Sequence, residues 1–376
     1  MTLSGGSHGN PHPTVRIHIL GLAARGTHAT DHWAIETLRK LGWGKPTWAG
    51  TRIITREDSH DGIAGLDDKA KAIGIDRRCS SPGHSLLSPS LSDGIPGVLA
   101  PGAVPELVQE GFVFTEGPVG TADGGLYFSD IRANRTFYLD AGGRISVVRE
   151  NTNGANGLAL TRDGELLFAE GDGKRITRRS KDGSITTVTE GPTGVPLLAP
   201  NDLLVDSKGG IYFTDPGPRP VVPGRPTYVY YLPSGARQPI LLDGNVARPN
   251  GLTLTSDGKT LIVDDTLNPT VFAYDIAPDG SVKNKRAFTQ LRDIPAGSES
   301  GADGMAIDRE NRVYITTATG VQVFDAKGQY LGTIKVGRQA ANAAFAGPDK
   351  QTLYITAREG LYRVRMLAKG MDRVGK

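Results

Sequence analysis

From residue 111 onward the chain is written in short apolar runs separated by polar, glycine-rich turns, and no stretch carries the 3.6-residue apolar spacing of an amphipathic helix. One phrase recurs. A polar residue, usually followed by Gly or Asp, opens an apolar stretch; a turn follows, and a second apolar strand ends in an acid or a threonine. Glu116-Gly117-Pro118 leads through Asp123-Gly124-Gly125 to Leu126–Asp130. Asn156-Gly157-Leu158 leads through Asp163-Gly164 to Leu166–Glu170, and Asn201-Asp202-Leu203 through Lys208-Gly209-Gly210 to Ile211–Asp215. Asn250-Gly251-Leu252 leads through Asp257-Gly258 to residues 261–264. Asp303-Gly304-Met305 leads to 313–316, and Asn342-Ala343-Ala344 to 353–356.

The six openings lie 40, 45, 49, 53 and 39 residues apart. Periods of roughly 40–50 residues with short strands and tight turns are the mark of β-propeller blades. The first two strands of a unit should form a hairpin, because the Gly of Asp-Gly takes positive φ at little cost. The Asp-Gly pairs at 123, 163, 182, 257 and 279 read as such turns, whereas Asp303-Gly304 opens a unit instead of joining two strands. Residues 144–148 and 185–188 read as outer strands. The sixth unit is short, since after 361–364 the chain is nearly spent. Residues 107–109 can supply its missing outer strand and close the ring, which removes an exposed edge. The expected fold is all-β: a six-bladed β-propeller with four-stranded blades over residues 104–368, preceded by a poorly ordered N-terminal extension over 1–95.

Composition divides the chain at the same place. All seven His lie before residue 85 and all three Trp before residue 49, while every Phe and Tyr comes after residue 111. The extension is expected to be disordered, or to precede the true start of translation. His8 and His12 cannot pair on a helix, because Pro11 and Pro13 forbid one, but His28 and His32 could share a face of a short helix near 33–41. The mildly apolar stretch 15–24 is broken by Arg16, His18 and Gly21 and makes a poor signal-peptide core. As written the chain is expected to be cytoplasmic; a different start would allow a periplasmic or secreted protein. No apolar run approaches the ~18–20 residues that span a bilayer. A net charge of +3 without a dense Lys/Arg run makes nucleic acid and anionic membranes poor partners. The single cysteine, Cys79, excludes an internal disulfide and a thiolate cage for zinc.

The repeat region contains no His, Cys or Trp. A Ser-His-Asp triad and a His-based zinc site are therefore excluded there. A general base has to be Asp, Glu, Lys or Tyr, and a metal has to be held by oxygen. In a propeller the unit-opening residue starts the innermost strand and lines the channel, and the antiparallel second strand returns to the same face. The inner ring is then Glu116, Asn156, Asn201, Asn250, Asp303 and Asn342. The outer ring is Asp130, Glu170, Asp215, Asp264 or Asp265, Thr316 and Thr356. Two acids facing each other in a channel repel and resist ionisation. A hard divalent cation of the Ca²⁺ or Mg²⁺ kind relieves that conflict, since carboxylate and amide oxygens are its ligands. Asn and Asp also open strands because they satisfy turn backbone, but Asn at the equivalent place in four of six units favours a shared site. The proline-rich segment 216–226 reads as an irregular loop on the same face, either a lid on the channel or a decorated connection.

The phrases Thr115-Glu116-Gly117-Pro118, Tyr127-Phe128-Ser129-Asp130-Ile131, Ala155-Asn156-Gly157-Leu158, Pro200-Asn201-Asp202, Tyr212-Phe213-Thr214-Asp215-Pro216, Pro249-Asn250-Gly251-Leu252, Ala302-Asp303-Gly304-Met305 and Thr352-Leu353-Tyr354-Ile355-Thr356-Ala357 together resemble the regucalcin and gluconolactonase family of six-bladed propellers. The resemblance covers about residues 105–366. Each phrase alone is weak; all of them in order, one per blade, are specific. The resemblance implies one catalytic divalent metal ion, Ca²⁺ foremost, with Mg²⁺, Zn²⁺ or Mn²⁺ able to take its place. It implies ligation by Glu116, Asn250 and Asp303, with Asn201 beside the ion and in contact with metal, water or substrate. It implies Asp303 as general base, or as nucleophile in phosphate-cleaving relatives. One departure stands out. Glu170-Gly171-Asp172-Gly173, followed by Lys174 and Arg175, occupies the place where bacterial gluconolactonases often carry a His-containing stretch. That change lies on the rim that reads the sugar, not among the implied metal ligands.

The expected reaction is hydrolysis of a small-molecule sugar lactone. The cation polarises the carbonyl and stabilises the oxyanion, Asp303 deprotonates the attacking water, Asn156 and Asn201 orient the substrate, and the acids Asp130, Glu170 and Asp215 hold sugar hydroxyls. An organophosphate hydrolase on the same site is the alternative enzyme. From other classes come a calcium- or ligand-binding propeller without turnover, and a protein-interaction propeller, which the converging polar ring argues against. If residues 1–95 precede the true start, native protein should have the mass of a chain beginning near residue 95 from a Val or Leu codon, because no Met separates Met1 from Met305. Native protein that retains residues 1–90 would contradict this.

Overall fold

The computed structural model describes residues 93–372. The readings made for the N-terminal extension, including the short helix near 33–41, lie outside the described residues. Twenty-four strands form six four-stranded antiparallel sheets, the blades of a ring. The innermost strands of blades 1 to 6 are Thr115–Gly120, Ala155–Leu160, Leu203–Val205, Pro249–Leu254, Met305–Ile307 and Asn342–Ala346. Blades 1 to 5 run outward in chain order. In blade 6 the outermost strand, Glu106–Glu110, comes from the other end of the ring and pairs with Gly360–Arg365. The ring is thus closed by strand pairing between its two ends, as the short sixth unit predicted. No helix among the described residues is long and apolar enough to cross a membrane.

The core is a set of interfaces between blades rather than one centre. Leu204, Tyr212, Val229 and Tyr231 of blade 3 pack against Leu252, Leu254, Leu261 and Val263 of blade 4, for example. Inner strands are covered on both faces, so every position of Ile211–Asp215 and of Asn342–Ala346 is buried. That is why these strands read as continuous apolar runs instead of alternating. Chain ahead of position 104 also joins the fold: Ile95, Val98 and Leu99 are buried against blades 5 and 6. At the other end Gly370 pairs with Asp308, beyond the expected limit at 368.

Near the axis, the recurring phrase stitches one blade to the next. Gly157 N–H donates to the Asn201 carbonyl at 2.8 Å, Gly251 N–H to the Asp303 carbonyl at 2.8 Å, and Gly304 N–H to the Ala341 carbonyl at 2.7 Å. Hydroxyls one place before the end of the second strand reinforce this. Ser129 donates to the Asn156 carbonyl at 2.8 Å and Thr214 to the Asn250 carbonyl at 2.7 Å. Thr316 donates to the Ala341 carbonyl at 2.7 Å. The glycine of the phrase is required by this close approach. A Cβ on Gly251 would stand 2.3 Å from the Asp303 carbonyl oxygen, and one on Gly304 would stand 1.8 Å from Asn342 Cγ. Hairpin glycines answer to a different need, as at Gly124 with φ of 88°. Gly251→Ala should therefore destabilise the protein by about 1–3 kcal/mol, the cost of overpacking a tight contact. Urea denaturation checks this, and an unchanged midpoint would contradict the stitching.

Candidate functional site

All six inner-ring residues lie at the starting end of the innermost strands, with Asn201 and Asp303 just ahead of theirs. Three of them meet. Glu116 and Asp303 hydrogen-bond carboxyl to carboxyl. Asn250 Nδ2 donates to Asp303 Oδ1 at 2.8 Å and to Thr266 Oγ1 at 3.1 Å. Glu116 is buried, and its Oε2 accepts from the amide of Gly117 at 2.9 Å.

Burial, then the charge of Glu116, then that of Asp264 push Asp303 well above the usual carboxylate range; the hydrogen bond from Asn250 works against this. Acids this close cannot all ionise without a proton or a cation between them. The carboxamides point the same way. Asn250 Oδ1 and Asn156 Oδ1 are buried with no hydrogen-bond partner among the described residues, and a buried acceptor left unpaired costs about 1–3 kcal/mol. Asn201 is half-buried, and its side chain makes no hydrogen bond among the described residues. Two carboxylates with amide oxygens beside them fit a hard divalent cation. Among the described residues no three His, Cys, Asp or Glu side chains form a metal-binding group by themselves, so a cation here would need the carboxamides as well. Asn342 plays another part: its Oδ1 accepts from the Ala343 amide at 2.9 Å.

The outer-ring acids bond to the chain itself. Asp130, Glu170 and Asp215 are buried, and each of their carboxylate oxygens accepts a hydrogen bond from the chain itself. Asp130 accepts from the amides of Val113 and Phe114 at 2.8 and 2.9 Å, and Asp215 from those of Leu198 and Ala199 at 2.8 and 2.7 Å. Asp265 does the same for Ala247 and Arg248 at 3.3 and 3.0 Å. In each case the clamp fixes the backbone two residues before a ring residue: Phe114 before Glu116, Ala199 before Asn201, Arg248 before Asn250. The alternative Asp264 or Asp265 is thereby resolved. Asp265 belongs to the clamp set, and Asp264 turns inward to the Gly251 amide at 3.0 Å. Thr316 and Thr356 align with the hydroxyls of the stitching, one place short of the ring proposed for them. Glu170 accepts from Arg149 at 2.6 Å, Thr177 at 2.6 Å, Arg175 at 2.8 Å and Asn153 at 3.2 Å. Burial pushes its carboxyl up, but the bonds from Thr177, Arg175 and Arg149 outweigh that and hold it low.

Two polar groups of the site were not picked out from the sequence. Thr266 supports the Asn250 amide, and Arg248 reaches the carbonyls of Pro216 and Gly217 at 3.4 and 3.3 Å. The only signal for Arg248 was its place directly before Pro249-Asn250-Gly251. The loop 216–226 is irregular and joins the loop before blade 5 through an Arg219–Glu299 ion pair at 2.9 Å.

Residues 114–359 match the family described as SMP-30/Gluconolactonase/LRE-like region. A gluconolactonase of Zymomonas mobilis is 27% identical, over 69% of this chain and 80% of its own. Among solved structures, a gluconolactonase of Xanthomonas campestris superposes with a TM-score of 0.63 at 30% identity, covering 70% of this chain and 89% of its own. A diisopropyl-fluorophosphatase of Loligo vulgaris is 24% identical, over 67% of this chain and 88% of its own.

The raised Asp303 has a consequence for stability. The benefit of its proton is present below the usual carboxylate range and is lost as pH rises through the raised value, where ionisation sets it against Glu116. In protein stripped of divalent cations, Asp303→Asn should therefore raise the melting temperature at pH 7 by a few degrees. A lower or unchanged melting temperature would contradict the repulsion.

Proposed function

Because the chain belongs to the SMP-30/gluconolactonase/LRE-like family, we propose that it is a lactonase that opens a sugar lactone, with one divalent cation held by Glu116, Asn201, Asn250 and Asp303. The observation that carries this reading is the Glu116–Asp303 carboxyl pair beside a buried amide oxygen of Asn250 that has no partner. When bound, the cation, Ca²⁺ foremost, supplies Lewis-acid polarisation of the lactone carbonyl.

The chain's own residues do the rest. Asn250 holds Asp303 Oδ1 at 2.8 Å and so orients the carboxylate. Asp303 acts as general base and takes a proton from the attacking water. The water oxygen bonds to the carbonyl carbon, the ring C–O bond breaks, and the proton goes to the departing ring oxygen. Asn156 Oδ1, an acceptor without a partner, suits a sugar hydroxyl, and Asn201 orients the ring from the next blade. The clamps at Asp130, Asp215 and Asp265 keep these groups from drifting, which matters because small misplacements of reacting groups are costly in rate. The same residues suit an organophosphate hydrolase, a second reading that the similarity to the fluorophosphatase favours.

Acid release from glucono-δ-lactone and from five-membered lactones, followed at constant pH above the spontaneous rate, tests the proposal. Metal-stripped protein should be inactive, and adding back Ca²⁺, Mg²⁺, Mn²⁺ or Zn²⁺ should restore turnover. Asp303→Asn and Glu116→Gln should lower kcat by about 10²-fold or more while the protein stays folded. Full activity of Asp303→Asn would remove it as the base. No lactone opening with any ion, together with cleavage of diisopropyl fluorophosphate, would favour the second reading.

A further inference from the structure

Arg248 is a buried cation with no anion paired to it among the described residues. It is 6% exposed. Its backbone is fixed on both sides, with its N–H on Asp265 Oδ1 at 3.0 Å and its carbonyl accepting from Thr266 N–H at 3.0 Å. Its side chain therefore departs two residues before Asn250, at the channel end of blade 4. Among the described residues the guanidinium donates only to two neutral carbonyls, Pro216 at 3.4 Å and Gly217 at 3.3 Å. Both contacts are long, and Arg248 takes part in none of the ion pairs among these residues. The Arg219 charge repels it, while Asp303 and Glu299 attract it.

A buried guanidinium satisfied only by neutral acceptors is incompletely compensated. Its planar fork of donors matches a carboxylate, and Arg is the residue best suited to that contact. Lactone opening creates a carboxylate. That group forms where the ring carbonyl stood, close to the base, and would confront Asp303 with a second like charge.

We propose that Arg248 binds the carboxylate of the ring-opened acid. The proposal rests on the lactonase reading for the identity of that acid. It makes the acid a ligand in its own right and an inhibitor of its own formation. It also makes the site discriminate between an aldonate and an uncharged polyol of the same length.

Equilibrium binding keeps the test separate from turnover. Gluconate and glucitol are titrated into the full chain and into Arg248→Gln and Arg248→Lys, with and without a chelator, and the melting temperature of each protein is recorded. The wild type should bind gluconate more tightly than glucitol. Arg248→Gln should weaken gluconate by about 10–100-fold, the range of a charge-assisted hydrogen bond, and leave glucitol unchanged. Arg248→Lys should fall between, because it keeps the charge and loses the fork. Equal loss for both ligands, or no loss for gluconate, would reduce Arg248 to a strut under the 216–226 loop and overturn the proposal. So would a wild type that does not bind gluconate. Failure of the lactonase reading appears instead in the acid-release assay, whatever the binding result.

Discussion

Two carboxyl groups, Glu116 and Asp303, meet at the hub of a ring of blades, and much of the structure serves to keep them there. Left to themselves they would move apart or trap a proton, since Asp303 is pushed well above the usual carboxylate range by burial and by Glu116. They sit on opposite sides of the chain's course, in blades 1 and 5. Their contact depends on a ring closed by Glu106–Glu110 pairing across its ends. An open ring would leave a free edge and no fixed distance across the channel.

The remaining features divide the labour of holding that contact. Hydrogen bonds from the phrase glycines tie Asn156 and its equivalents to neighbouring blades through backbone, so that side chains are left for the channel. The clamping acids Asp130, Asp215 and Asp265 fix the approach to each ring residue by taking two consecutive amides. The hub itself is a net cost, with close acids and unpaired amide oxygens. The apolar interfaces between blades supply the stability that offsets it, with each buried Leu or Ile side chain worth about 1.5–3 kcal/mol. A site of this kind is less stable than an apolar plug would be, and that strain is what a proposed cation would relieve.

The sequence revealed the blades because their period and their Asp-Gly hairpins are local features. It also revealed the closing strand, because the sixth unit ran out of chain. One repeated position per blade made the inner ring legible, the family resemblance singled out Glu116, Asn250 and Asp303 within it, and the structure places those three in contact. The partners of the outer-ring acids were not legible because an acid at a strand end has two kinds of partner in reach, a ligand or the chain's own amides. Only the path of the preceding loop shows that Asp130 faces Val113 and Phe114. Register slipped by one place at Thr316 and Thr356 for a related reason: a pair such as Asp264-Asp265 sends its two side chains to opposite sides, and periodicity alone does not say which. Arg248 was missed because its side-chain contacts are with Pro216 and Gly217, about thirty residues away. Residues 94–99 were missed because their apolar residues belong to no repeat.

The most direct test of the account is calorimetric titration of Ca²⁺ into metal-stripped protein over a range of pH, because Asp303 is pushed above the usual carboxylate range. The account predicts one ion per chain, bound with release of a proton, and no binding by Glu116→Gln. Absence of binding by Ca²⁺, Mg²⁺, Mn²⁺ and Zn²⁺ alike, in a folded protein, would contradict it.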